Sequence, residues 1–178
     1  MSQANHNSNN NNKEKHTISA LVENNAGVLS RISGLFARRG FNIHSLAVGV
    51  TEVPDVSRIT IVAEGDDYVL EQIAKQLNKL VDVIKVRTLP KHGSELLSRE
   101  LMLVKVSCTP SERQELIAIA KINDAKISDV SATAMTLELS ANQQRLSAFE
   151  ELIRPYGIKE IARTGVIALQ KGATSLNS

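Results

Sequence analysis

Residues Thr17 to Leu46 read TISALVENNAGVLSRISGLFARRGFNIHSL, and this stretch decides how the first half of the chain folds. Apolar side chains alternate up to the paired asparagines and then recur at helical spacing, which predicts a strand followed by a helix. Asn25 is the predicted N-cap residue, because its side-chain oxygen suits a free amide of the first turn. Gly40 follows the last apolar turn and predicts the end of the helix, before a second strand.

The turn between this strand and this helix, residues 24–29, is a candidate site for a small ligand. The first amides of a helix point into such a turn, and the helix dipole adds partial positive charge there. Gly27 leaves space for a ligand, a carboxylate suits the amides, and the asparagine side chains suit an ammonium group. The turn therefore has the features needed to bind a free amino acid. A capped turn without a ligand explains the same spacing and is the more common use of such residues.

The periodicity of the chain predicts the order β-α-β-β-α-β twice, over residues 16–90 and again over residues 99–170. Each unit is a ferredoxin-like sandwich, so the predicted fold is α+β, with two tandem ferredoxin-like βαββαβ domains. Residues 91–98 are polar and form the predicted linker. Residues 1–15, which include four consecutive asparagines, are the predicted disordered tail, and residues 171–178 are a predicted loose tail.

The composition limits the classes of function. Hydrophobic residues make up 42% of the chain and aromatic residues 3%, which predicts an aliphatic core. The net charge of +2 comes without a clustered basic patch, and the central strands lack the aromatics with which an RNA-recognition sheet stacks bases. No apolar run is long enough to cross a membrane, and no secretory signal begins the sequence. We therefore expect a cytoplasmic protein that binds neither nucleic acid nor membranes.

The sequence contains none of the catalytic motifs GxSxG, Walker A, HExxH or CxxC. Cys108 is the single cysteine, which favours a reducing compartment, and its position in a predicted strand favours a buried, inert thiol. His44 and His92 have no evident partner. The acidic pairs at 66–67 and 150–151 are typical of solvated helix residues. We expect no catalytic residue and no metal site.

Five segments resemble one known family. Residues 21–32 (LVENNAGVLSRI) resemble the ligand motif of ACT domains. Residues 35–46 (LFARRGFNIHSL) resemble the regulatory, or small, subunit of acetolactate synthase, which is also called acetohydroxyacid synthase. The other segments that agree with this family are 57–61 (SRITI), 70–83 (LEQIAKQLNKLVDV) and 99–106 (RELMLVKV), and the resemblance covers residues 16–169.

The sequence departs from the family pattern in three places. Many relatives have proline in place of Ala26 and glutamate in place of His44, but neither difference removes a backbone amide. Residues 119–126 lack the Phe-Arg pair expected in the second domain, so the resemblance is weaker there.

The resemblance implies a non-catalytic regulatory subunit. Its partner would be the catalytic large subunit, which carries thiamine diphosphate, a divalent metal and FAD and condenses pyruvate with pyruvate or 2-oxobutyrate. The small subunit would raise that activity and make it sensitive to valine or another branched-chain amino acid. Members of this family form homodimers through their ACT domains, with effectors at the interface. By position, effector binding would fall to Asn24, Asn25, Ala26, Gly27, Val28 and Leu29 of one protomer and to Asn42 and Ile43 of the facing protomer.

Two other functions fit the sequence. A free-standing ACT-domain sensor of amino acids, which regulates another enzyme, would share the turn, although the second domain and residues 99–101 favour the subunit. A small enzyme with a ferredoxin-like fold, such as an acyl-phosphate hydrolase, would share the architecture. That enzyme would turn over pyruvate or an acyl phosphate without a partner.

Overall fold

The computed structural model describes residues 14–90 and 95–176, and the first of these segments forms an antiparallel sheet covered on one face by two helices. The strands lie in the order β2-β3-β1-β4. The elements are β1 (Glu14–Glu23), α1 (Val28–Arg39), β2 (Ile43–Val50), β3 (Val56–Gly65), α2 (Asp67–Leu77) and β4 (Val83–Thr88).

The second segment repeats this arrangement, with strands in the order β6-β7-β5-β8 and one further strand, β9, paired with β5. Its elements are β5 (Leu96–Ser107), α3 (Arg113–Ile122), β6 (Lys126–Val130), β7 (Ala134–Ala141), α4 (Gln143–Ile153), a 3₁₀ turn (Arg154–Tyr156), β8 (Ile158–Arg163) and β9 (Ile167–Gln170). The predicted α+β class and the double βαββαβ order are confirmed.

Each sheet has its own aliphatic core beneath its helices. In the first unit Ile18 and Ile61 of the sheet meet Ile32 and Ile73 of the helices, and all four are almost fully buried. The second unit buries Met102, Val104, Leu137, Leu146 and Phe149 in the same way. Burial of each such side chain stabilises the fold by about 1.5–3 kcal/mol.

The two units pack against each other through the face of the first sheet that α1 and α2 leave uncovered. Val62 of β3 joins a third apolar cluster that the second unit completes with Leu96, Val166 and Ala168. The amide of Val166 donates a hydrogen bond to Ser45 Oγ at 2.8 Å. Both faces of the first sheet are therefore buried near its centre.

Gly165 lets the two backbones approach closely. A Cβ atom at this position would lie 2.6 Å from the carbonyl carbon of Leu46 in β2, which is closer than real contacts allow. The position therefore requires glycine.

Several predicted boundaries are wrong, because pairing with other strands extends the regular structure. Glu14 and Lys15 belong to β1, where they pair with β3, although the sequence predicts a disordered tail through residue 15. Residues 96–98 belong to β5 and not to a linker, since Leu96 is buried in the cluster between the units. Residues 1–13, 91–94 and 177–178 belong to the predicted tails and linker, and they lie outside the described part of the chain.

The C-terminal part also differs from the prediction. The apolar pattern of residues 158–168 predicts one continuous last strand, but this segment divides into β8 and β9, and β9 pairs with the start of β5. The predicted loose tail packs at least as far as Leu176, which is buried, and the carbonyl of Ser175 accepts a hydrogen bond from Arg87.

Two element starts are wrong as well. The predicted fourth strand begins at Val81, but Val81 is 89% exposed and β4 begins at Val83, after a turn. The sequence predicts Thr109 as the cap of the third helix and Pro110 as its first residue, but α3 begins at Arg113. No helix among the described residues is long and apolar enough to span a membrane.

Candidate effector site at the β1–α1 turn

The β1–α1 turn, residues 24–29, connects the end of β1 to the first residues of α1. Gly27 is the N-cap residue, with φ 87°, and no side chain caps the helix. The prediction that Asn25 is the N-cap is therefore wrong. The first regular helical bond is donated by the amide of Arg31 to the carbonyl of Gly27, at 3.0 Å. The amides of Leu29 and Ser30 precede it and face the turn, as the first amides of a helix do, whereas the amide of Val28 donates to the carbonyl of Asn25 at 3.4 Å.

Asn24 holds the turn to the β2–β3 connection. Its backbone amide donates to the carbonyl of Asp55 at 2.8 Å, its Nδ2 donates to the carbonyl of Pro54 at 3.1 Å, and its Oδ1 accepts from Ser57 Oγ at 3.1 Å. Much of the hydrogen-bonding capacity of this side chain is thus used inside the protein. Asn24 fixes the shape of the turn more than it offers groups to a ligand.

Asn25 and Glu23 form the exposed, polar side of the turn. Asn25 Nδ2 donates to Glu23 Oε2 at 2.9 Å, which leaves the Asn25 carbonyl oxygen directed away from this bond. The Glu23 carboxylate and the Asn25 amide oxygen are both acceptors at this side of the turn, and an ammonium group has three donors. Glu23 has no local sequence sign of this role, because a charged residue at the end of a strand is also typical of a solvated position.

Arg31 brings a positive charge to the turn. Its Nη1 donates to both carboxylate oxygens of Asp82, whose side chain is 9% exposed. The hydrogen bond to Asp82, followed by the charge of that carboxylate, raises the pKa of Arg31 above its ordinary value. A Cβ atom at Gly27 would lie 4.0 Å from Arg31 Nη2, so the guanidinium lies beside the turn. No local motif predicts that Arg31 is held beside the turn, since its partner Asp82 is 51 positions away.

The remaining predicted residues of the turn differ in what they present. Val28 is buried in the first core, so it presents no side chain to a ligand, and its amide is used within the turn by the bond to Asn25. Leu29 is 44% exposed and Ala26 is exposed, so these two supply the apolar surface. The turn thus combines free amides, a fixed guanidinium, polar oxygens and a small apolar surface.

Asn42 and Ile43 lie at the opposite end of the sheet within the same chain. Ile43 is level with Ala63 and His16, whereas the turn follows Glu23, seven residues farther along β1. At about 3.3 Å per residue, the two ends are roughly 23 Å apart. The structure therefore does not bring the two predicted sets together in one protomer, and a single chain contains each half of the predicted site separately.

His44 and Cys108 lie outside the turn, and the structure shows the contacts of each. His44 has partners, contrary to expectation: its Nε2 lies 2.9 Å from Lys15 Nζ and 3.2 Å from Gln143 Nε2 of the second unit. Cys108 is 2% exposed, and its thiol donates to the carbonyl of Thr109, so the predicted burial is confirmed. Among residues 14–90 and 95–176, no three His, Cys, Asp or Glu side chains form a group that could hold a metal ion.

Comparison with known proteins places both units in one family. Residues 18–85 match the family described as AHAS small subunit-like ACT domain, and residues 99–172 match the family described as small subunit of acetolactate synthase. The probable acetolactate synthase small subunit of Archaeoglobus fulgidus is 51% identical over 158 residues, which cover 89% of this chain and 98% of that protein.

Two further relatives agree. The acetolactate synthase small subunit of Mycolicibacterium smegmatis is 46% identical over 163 residues, which cover 92% of this chain and 95% of that protein. The crystal structure of the acetolactate synthase small subunit from Thermotoga maritima superposes with a TM-score of 0.86 at 38% identity, covering 90% of this chain and 99% of that one.

Proposed function

Because this chain belongs to the family of acetolactate synthase small subunits, we propose that it is a regulatory subunit that activates the catalytic large subunit and confers feedback inhibition by valine. Other branched-chain amino acids are alternative effectors at the same site. The observation that carries the proposal is the β1–α1 turn, where uncapped helix amides lie beside Arg31. In this proposal thiamine diphosphate, the divalent metal and FAD belong to the catalytic partner, which acts in the cytoplasm.

The turn has a group for each part of an amino acid. The effector carboxylate accepts hydrogen bonds from the first amides of α1, where the helix dipole and the Arg31 guanidinium both favour negative charge. The ammonium group donates to the oxygens of Asn25 and Glu23. The apolar side chain packs on Leu29. One methylene in such a pocket is worth about 1–3 kcal/mol, so valine, leucine and isoleucine differ in affinity by a limited factor.

The second half of the site comes, in this proposal, from a second copy of the chain. Strand β2 is an edge of the first sheet and pairs only with β3 among the described strands, and in this proposal it also pairs with the same strand of another protomer. Antiparallel pairing about a two-fold axis sets the Ile43 end of one β2 beside the Val50 end of the other. The Val50 end is next to Ser57, which bonds to Asn24, so the partner's Ile43 approaches the turn.

Regulation then follows from the shared position of the effector. An amino acid that contacts both protomers stabilises one arrangement of the dimer over another. A difference in binding free energy of roughly 1–3 kcal/mol between the two arrangements is sufficient for graded inhibition of the catalytic subunit.

Two experiments test this function. Calorimetric titration of the full chain with valine, leucine and isoleucine measures effector binding and ranks the three amino acids. Assays of enzyme activity and of complex formation, made after the chain is mixed with the large subunit, measure activation and association. Saturable valine binding together with activation supports the proposal. A chain that binds valine but neither associates with nor activates the large subunit would instead be a free-standing amino-acid sensor.

A further inference from the structure

A cavity of about 500 Å³ lies where the two units meet, on the face of the first sheet that α1 and α2 do not cover. We call it the junction groove. One wall is built from β2, the residues that follow it, and β3, and the other wall is built from β5 and β9. Its volume is within the range of sites that bind small molecules. The groove is separate from the β1–α1 turn, because none of residues 24–29 lines it.

The wall from the second unit is apolar. Leu97 pairs with Leu169 in the antiparallel register of β5 and β9, and Ile167 is the next residue on the same face of β9. These three side chains are 42%, 53% and 60% exposed. Removal of apolar surface from water is favourable. A hydrocarbon body that fills the groove therefore gains free energy from this wall.

Two arginines bring positive charge into the same groove. Arg58 comes from β3 and Arg99 from β5. Their Nη1 atoms donate to neutral acceptors, at 3.3 Å to Ser19 Oγ and at 2.8 Å to the carbonyl of Ser98. Within the described ranges neither arginine takes part in a salt bridge. Glu52 contributes one carboxylate to the lining, so the groove keeps an excess of one positive charge.

We propose that the junction groove binds a small carboxylate that has an apolar body and no ammonium group. A guanidinium matches a carboxylate in shape and charge, and its planar donors can bind both oxygens. The hydrocarbon part of the ligand packs on Leu97, Ile167 and Leu169. An ammonium group would add a cation to a groove that already has an excess of one positive charge, so an α-amino acid is disfavoured relative to its 2-oxo analogue.

This second site acts on the contact between the units, and it does not depend on the proposed feedback function. Its walls belong to both units, so an occupied groove stabilises their packing by linkage. An anion bound there and an amino acid bound at the β1–α1 turn therefore act at separate places on one chain.

The test compares two ligands that share one carbon skeleton. The full chain is titrated by calorimetry with 4-methyl-2-oxopentanoate and with leucine. We expect saturable binding of the oxo acid that is weakened about tenfold by Arg58→Gln and by Arg99→Gln, since each removes one charged hydrogen-bond donor. Arg38→Gln, at an exposed position in the last turn of α1, is the matched control and leaves the affinity unchanged.

A third substitution blocks the groove without removing charge. A Cβ atom at Gly49 meets no atom within 4 Å, and Gly49 is paired with Arg58 across β2 and β3. Gly49→Val therefore fills the groove with a residue that strands accept well, and we expect it to abolish oxo-acid binding. Circular dichroism and thermal unfolding confirm that each variant is folded.

The outcomes separate this site from the effector turn. Oxo-acid binding that persists in Gly49→Val and in both groove arginine variants would overturn the proposal, as would the absence of binding at millimolar concentration. Binding that is lost in Gly27→Asp would assign the oxo acid to the β1–α1 turn and would also overturn it. Retention in Gly27→Asp with loss in Gly49→Val supports it, whether or not valine binds the turn.

Discussion

Arg31 and Asp82 form an ion pair that ties the first turn of α1 to the residue before β4. The carbonyl of Asp82 also accepts a hydrogen bond from the amide of Glu23 at 2.9 Å. One residue thus holds both sides of the β1–α1 turn: the end of β1 through its backbone and the start of α1 through its carboxylate. The position of the guanidinium beside Gly27 is a consequence of this arrangement.

We predict that Arg31→Gln weakens valine binding about fivefold, because it removes the fixed charge beside the effector carboxylate. The loss is limited because solvent screens the attraction between this charge and the carboxylate. Calorimetry with valine measures the change. Arg38→Gln, on the same helix, is the matched control and should bind valine as the parent protein does. Equal affinity of a folded Arg31→Gln and the parent would show that the guanidinium takes no part in binding.

Gly27→Asp is predicted to preserve activation of the large subunit and to raise the valine concentration for half-inhibition at least about tenfold. An aspartate at this position places its own carboxylate on the helix amides and repels that of the effector. Because φ is 87°, any side chain here adds backbone strain of about 1–2 kcal/mol.

Gly27→Asn is the control for that strain, since asparagine has the same shape as aspartate, carries no charge and tolerates the left-handed region. Activity assays of the reconstituted complex across a valine series compare the two variants. If both lose inhibition equally, space and strain govern the site. If Gly27→Asp is inhibited normally, the effector does not bind at this turn.

Gly165→Ala is predicted to lower the free energy of unfolding by about 1–3 kcal/mol, as overpacking does, because the added methyl group meets the backbone of β2. Urea denaturation followed by circular dichroism measures the loss. Gly49→Ala is the control, since its methyl group enters open space. A Gly165→Ala protein as stable as Gly49→Ala would mean that the units separate easily in solution.

The pair Thr109 and Glu112 predicts a pH-dependent contribution to stability. Glu112 Oε2 accepts hydrogen bonds from Thr109 Oγ1 at 2.6 Å and from its amide at 2.9 Å, and these lower the pKa of Glu112 below 4.5. The folded state therefore favours the ionised carboxylate. Its contribution is present above the unfolded-state pKa and is lost as the pH falls through the lower folded-state pKa.

Thr109→Val should therefore destabilise the protein at pH 7, whereas the difference between variant and parent should shrink as the pH falls below the folded-state pKa of Glu112. Thermal unfolding of both proteins across that pH range is the measurement. Glu112→Gln, which cannot ionise, should remove the pH dependence of the difference. A difference that stays constant with pH would exclude this pair as its source.

The order of elements could be predicted from the sequence because it depends on local periodicity. Ile18, Ile32 and Ile73 lie in patterns that a window of a few residues contains. The position of the turn was found for the same reason. The capping residue of α1 could not be predicted in this way. Asn25 has the stronger cap preference, but the chain needs the left-handed conformation that Gly27 supplies.

The remaining features depend on contacts distant in sequence. Arg31 has no local sign of its partner Asp82, and Leu96 resembles a linker residue until the first sheet covers it. The division of the last strand into β8 and β9 likewise depends on the length of β5, which offers pairing positions on both sides of residue 100. Tertiary packing decides such boundaries, and local preference does not.

Strand β5 runs for 12 residues and serves both units. Its first part pairs with β9 beside the first sheet, and its later part is a central strand of the second sheet. Because the strand is continuous, the direction of its first part, set beside the first sheet, also sets the orientation of the second sheet.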